Sequence, residues 1–232
     1  MTYSKLSFSL ANDALLHFFH SDYWSADEII FLNRFCLKNS DRLWKLKMRL
    51  LFEENNNFIV ASVLADANPE HRKFLFLRFA KNFSFVKIGL HLHVHPNALQ
   101  RWRDKFLNEI SSLMNFDLPI DDIFSRNKIE ALIFVLERNI VFFEDYGKTD
   151  FSVLSSLKSK LELYQNLLFA ICYFLNSSSI DVGGKIIRAK ILNPGFSAKE
   201  LEKVVGFSHT TISKYLLAFS SKYYTPILAH DA

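Results

Sequence analysis

The chain has 232 residues, half of them hydrophobic and 24 of them Phe, with a formal net charge of +4. It is long enough for one large domain or two small ones and too apolar to stay disordered. Only 6 Gly and 5 Pro are present, too little punctuation for an all-β protein, so long helices with short connections are expected.

Cys36 and Cys172 are isolated thiols without CxxC spacing, which points to a reducing, cytoplasmic setting. The N-terminal stretch has no apolar run followed by a small-residue cleavage site, so no signal peptide is expected. The longest apolar run, Leu167 to Leu175, is far short of the roughly 20 residues a membrane helix needs.

In chain order, residues 1–69 read as helices over Asp13–His20, Ala26–Leu37, Asp41–Glu53 and Phe58–Ala65. A basic island follows from Glu70 to Lys105, with net charge +6. It contains "GLHLHVHPNALQRW", Gly89 to Trp102. As a strand, this stretch would put His91, His93 and His95 on one face, as metal ligands can be. The segment "NFDLPIDDI" then links two halves, and Pro119 marks a boundary, giving domains 1–115 and 116–232. Asp121 and Asp122 read most simply as acids at a helix N-terminus. The alternative is a metal-binding acid pair of a recombinase. "KIEALIFVLERNIVFFEDY" and "LSSLKSKLELYQNLLFAICYFL" read as amphipathic to fully apolar helices. Their Phe-rich stripes are expected in the core, with a dimer or partner surface as the alternative.

The second basic island, Lys185 to Lys222, carries +5, which leaves −7 for the rest of the chain. Two basic islands in an acidic frame point to a polyanion partner met at two places. In "FSAKELEKVVGFSHTTISKYLLAF" (residues 196–219), Ser197 is a good N-cap, and Leu201, Val204 and Val205 mark a short helix. Gly206 suits a turn that needs positive φ. Ser208 caps the next helix, Phe207 and Ile212 form a hydrophobic staple, and Ile212, Tyr215, Leu216 and Phe219 give the buried stripe. Helix, glycine turn, capped helix is the helix-turn-helix pattern. Glu202 departs from it: the residue four before the turn glycine is usually small, so a splayed pair or a one-residue shift is expected.

Sliding the first island onto the second by 113 residues pairs Phe83 with Phe196, Ser84 with Ser197, Ile88 with Leu201 and Leu92 with Val205. It also pairs Val94 with Phe207, Leu99 with Ile212, Trp102 with Tyr215 and Phe106 with Phe219. His93 then takes the place of Gly206, His95 becomes the cap and Pro96 the first helical residue. The three histidines are spread over a helix end, a turn and a cap, so no metal site is expected.

"KFLFLRFAKNFSFVKIGLHLHVHPNALQRW" also resembles region 4 of bacterial sigma factors and related activators. The matching elements are Leu77-Arg78-Phe79, Phe83-Ser84-Phe85, Ile88-Gly89 and Val94-His95. The resemblance covers about forty residues, from Arg72 to Met114, and implies a helix that reads the major groove of a promoter. By position, the implied readers are His95, Pro96, Asn97, Gln100 and Arg101. Their counterparts in the second copy are Ser208, His209, Thr210, Ser213 and Lys214. Lys87 and Arg103 join them as phosphate contacts. Residues 23–54 offer no counterpart of the sigma region that grips the polymerase, so an accessory regulator is expected rather than a complete sigma factor.

Glycine-rich phosphate loops, GxSxG and HExxH are absent, so no catalytic residue, metal or cofactor is assigned. The expectation is an all-α chain of two tandem helical halves, with helix-turn-helix modules at about 84–110 and 197–222. It would be a cytoplasmic, bacterial or phage-type transcriptional regulator that binds double-stranded DNA. RNA polymerase and a second copy of the chain are the further partners considered, and no membrane is. The alternatives are a replication or recombination protein of a phage or mobile element, and a sigma-like protein-interaction module.

Overall fold

The computed structural model describes residues 5–20, 40–146, 151–178 and 180–230. The helix expected at Ala26–Leu37 lies outside them. The described residues are all-α, with ten α-helices and no strand, and the chain divides into two compact units, residues 1–115 and 116–232.

Unit 1 comprises α1 (Lys5–Phe19), α2 (Ser40–Asp66), α3 (Pro69–Leu75), α4 (Phe85–Leu92) and α5 (Pro96–Met114). The sequence suggests two helices over Asp41–Glu53 and Phe58–Ala65, but the structure has one. Leu51, Asn55, Ile59 and Val63 recur every four residues and are buried. Burial of that stripe outweighs the poor helix propensity of the Asn55–Asn57 run. The cost is visible: Asn55 Oδ1 is buried without a hydrogen-bond partner. α1 begins well before Asp13 and packs against α2 and α5. Leu15, Phe74, Ile88, Leu99 and Ile110 are fully buried in the core of unit 1, each contributing about 1.5–3 kcal/mol by leaving water.

α3 runs straight into a π-helical turn, Phe76–Ala80, closed by the Lys81 N–H donating to the Phe76 carbonyl at 3.2 Å. Asn82, at φ 50°, then turns the chain toward α4.

Unit 2 comprises a short 3₁₀ turn (Ile120–Asp122), α6 (Arg126–Tyr146), α7 (Phe151–Asn176), α8 (Val182–Leu192), α9 (Ala198–Val205) and α10 (His209–His230). α6 and α7 pack on each other and bury Leu132, Leu136, Leu157, Leu167 and Ile171. Not all of the Phe-rich stripe is core, for Phe169 is exposed. Tyr164 is fully buried; its hydroxyl donates to the Phe116 carbonyl at 2.7 Å and accepts from the Leu118 N–H at 3.3 Å. Gly183 permits the close approach of α10, because a Cβ there would lie 2.7 Å from the Tyr215 ring. No helix among the described residues is long and apolar enough to cross a membrane.

Candidate nucleic-acid interface

In unit 1, the Ser84 hydroxyl caps α4 by accepting from the Lys87 N–H at 3.3 Å. α4 ends at His93, whose φ of 54° and ψ of 38° place it in the left-handed region. His95 Nδ1 then accepts from the Asn97 N–H at 3.2 Å and caps α5, with Pro96 at its first position. Gly89 makes the tight turn possible, since a Cβ there would stand 2.7 Å from the Val94 carbonyl oxygen.

Unit 2 builds the same sequence of parts from different residues. Ser197 and Glu200 form a reciprocal capping box at the start of α9. The hydrogen bonds from Ser197 hold the Glu200 carboxyl below its ordinary range. Gly206, at φ 74°, ends α9, and Ser208 accepts from the Thr211 N–H at 3.4 Å to cap α10. Ile186, Leu201 and Ile212 are buried together at the centre of the three helices. Glu202 does not shift the register: Gly206 turns the chain nine residues after its cap, as His93 does. Val204, expected among the apolar markers of α9, faces outward instead.

The correspondence reaches further upstream than the paired cores require. Asn68 caps α3 through the His71 N–H at 2.8 Å, and Asp181 caps α8 through the Gly184 N–H at 2.7 Å. The caps Asn68 and Asp181, Ser84 and Ser197, and His95 and Ser208 all stand 113 residues apart, as do the left-handed His93 and Gly206.

At the surface, His95, Asn97, Gln100 and Arg101 are exposed on α5, with Leu99 and Phe106 buried behind them. In unit 2, Ser208, His209, Thr210, Ser213 and Lys214 are exposed, with Ile212 and Phe219 buried behind. Lys87 is exposed but lies over the Phe83 ring, 3.5 Å from its centre. Arg103 is half-buried, bonded to Asp104 at 2.7 and 2.9 Å and 5.5 Å from the centre of the Phe85 ring.

Several cations of the two basic islands are turned onto the protein's own carbonyls. Arg78 donates to Phe83, Lys190 to Pro194 and Phe196, and Arg188 to Phe174, Leu175 and Ser177 at the end of α7. Arg188 thereby satisfies orphan carbonyls at a helix C-terminus, where positive charge also meets the macrodipole favourably. Burial lowers the Lys190 pKa. A charge count along the sequence is blind to this inward use.

The histidines have separate roles: His91 stacks on Phe83, His93 makes the turn and His95 makes the cap. No cluster of three or more His, Cys, Asp or Glu suited to a metal is found among the described residues. Asp121 and Asp122 lie in the 3₁₀ turn, and Asp122 pairs with the buried Lys128 at 2.6 Å. Half-buried His71, which the sequence did not single out, meets Trp102 and Phe106 of α5 edge-on at 4.2 and 5.5 Å.

Comparison with protein-family models, with curated proteins and with solved structures finds no match to this chain.

Proposed function

We propose that the chain is a transcriptional regulator that reads double-stranded DNA through two helix-turn-helix modules, α4–α5 in unit 1 and α9–α10 in unit 2. The observation that carries this reading is the repeated plan of cap, left-handed turn and second cap. Each copy ends in a helix whose exposed first turns carry polar side chains and a cation. Such a helix start can enter a major groove, with Gln100 and Arg101 placed to meet base edges and Lys214 a phosphate. The resemblance of residues 72–114 to sigma region 4 supports the same reading.

One observation favours an additional protein contact in unit 1. Val86 and Leu90 of α4 are 64% and 75% exposed, where unit 2 has Lys199 and Lys203. Within this reading, that face of α4 meets RNA polymerase.

The test is a selection of bound sequences from random duplex DNA, followed by titration of the preferred site at several salt concentrations. A recovered consensus with steeply salt-dependent affinity is expected, because each neutralised phosphate releases counterions. A flat salt dependence sinks the proposal.

A further inference from the structure

α8 has two faces. Ile186, Ile187 and Ile191 are buried in unit 2. Lys185, Arg188 and Leu192 follow one another along a second stripe at three- and four-residue spacing, with Ala189, itself buried against Ile186, at its edge. This stripe lines an open groove of about 490 Å³, which Val204 of α9 also lines. That volume lies within the roughly 300–1,000 Å³ of small-molecule sites.

The lining combines two chemistries. Leu192 is 65% exposed and Val204 56%, so apolar surface is left uncovered beside two cations. Arg188 is held by its carbonyl bonds through Nε and Nη2, which leaves Nη1 without a hydrogen bond to any described residue. Its charge is therefore fixed at the groove before any ligand arrives, which lowers the ordering cost of binding. The Lys185 side chain is exposed and makes no hydrogen bond or ion pair with a described residue.

Unit 1 serves as an internal control. The positions matching Arg188 and Ala189 are Leu75, which is fully buried, and Phe76, whose ring meets Phe19 of α1 edge-on at 6.2 Å. There the chain's own first helix reaches the corresponding face through Phe19, although Phe76 stays 45% exposed.

We propose that unit 2 binds a small amphipathic carboxylate in this groove. The anionic head sits on Lys185 and the free Nη1 of Arg188, and the apolar chain lies along Ala189, Leu192 and Val204. A bare phosphate would leave the apolar lining wet, and a neutral hydrocarbon would leave the cations unanswered. Bound there, the ligand ties α8 to α9, the helix that ends at Gly206.

The test uses the full chain and decanoate below its micelle concentration, followed by calorimetry, with decyltrimethylammonium as the charge-reversed control. Saturable 1:1 binding of decanoate is expected, weakened by about tenfold in Lys185→Glu, clearly weakened in Leu192→Asp, and absent for the cation. Both substituted side chains are exposed, so the free variants should keep the wild-type melting temperature. The proposal is overturned by absence of saturable binding, by equal binding of the cationic amphiphile, or by decanoate binding that neither substitution changes. No DNA enters the measurement, so its outcome is separable from that of the DNA-reading proposal.

Discussion

Lys190 donates to the carbonyl oxygen of Phe196 at 2.7 Å, and in unit 1 Arg78 donates to the carbonyl of the matching Phe83 at 3.0 Å. In both units a cation from the preceding helix holds the last bend before the capping serine. Replacing Lys190 with Met keeps the stem and removes the bonds to Pro194 and Phe196. Denaturant unfolding of Lys190→Met should show a loss of about 1–3 kcal/mol, with Lys190→Arg recovering part of it. An unchanged midpoint would mean that this bend holds itself.

The two left-handed positions give a reciprocal pair of substitutions. His93 occupies φ 54°, a conformation costly for most side chains, whereas Gly206 occupies φ 74° at little cost. A Cβ on Gly206 would meet nothing within 4 Å, so the penalty there is backbone strain alone. Gly206→Ala should destabilise by about 1 kcal/mol, and His93→Gly should stabilise by up to about 1 kcal/mol after the entropy of the unfolded glycine is counted. Thermal melts of the two variants check the opposite signs.

Readout should differ between the units. Arg101 can make bidentate contact with guanine, while its counterpart Lys214 is a flexible point charge beside the short Ser213. Arg101→Ala should cost about 1–3 kcal/mol on the preferred duplex and relax preference at one base pair. Lys214→Ala should weaken preferred and scrambled duplexes alike. The reverse pattern would exchange the roles assigned to the two units.

Acid should loosen unit 1 through His71. Burial, and then the nearby Lys105, lower its pKa below the ordinary 6.5, with Glu70 opposing. The unfolded chain therefore takes up a proton first. This contribution is complete above pH 6.5 and is lost as pH falls through that value toward the folded pKa. The melting temperature of the wild type should drop between pH 7.5 and 5.5, and His71→Phe should reduce the drop. Identical pH profiles for the two proteins would remove His71 as its source.

Much of the local architecture was legible because caps and turns are written in a few residue types. Ser84 and Ser197 before an apolar pattern, and Gly206 after one, needed only short-range chemistry to interpret. Longer-range effects were not legible in this way. The Asn55–Asn57 run looks like a break, and only burial of the stripe through Leu51 and Ile59 shows why α2 continues through it. Arg188 and Lys190 count toward the second basic island because charge along a sequence carries no direction. Their carbonyl partners, at the end of α7 and in the link that follows α8, decide which way they point. Val204 followed the apolar spacing of α9 but lies on its outer side.

The π turn at Phe76–Ala80 takes one residue more than an α turn, and the link that follows it takes one fewer, so the distance from cap to cap is the same in both units. Arg78 precedes Phe83 by five positions while Lys190 precedes Phe196 by six, yet the caps before and after remain in step. A widened turn of this kind can lose its extra residue by rewinding into an ordinary α turn. Descendants of this chain could therefore carry a single-codon deletion in that turn while the helix that follows His95 keeps its aim. Length variation in this protein would gather there and spare the bend held by Lys190.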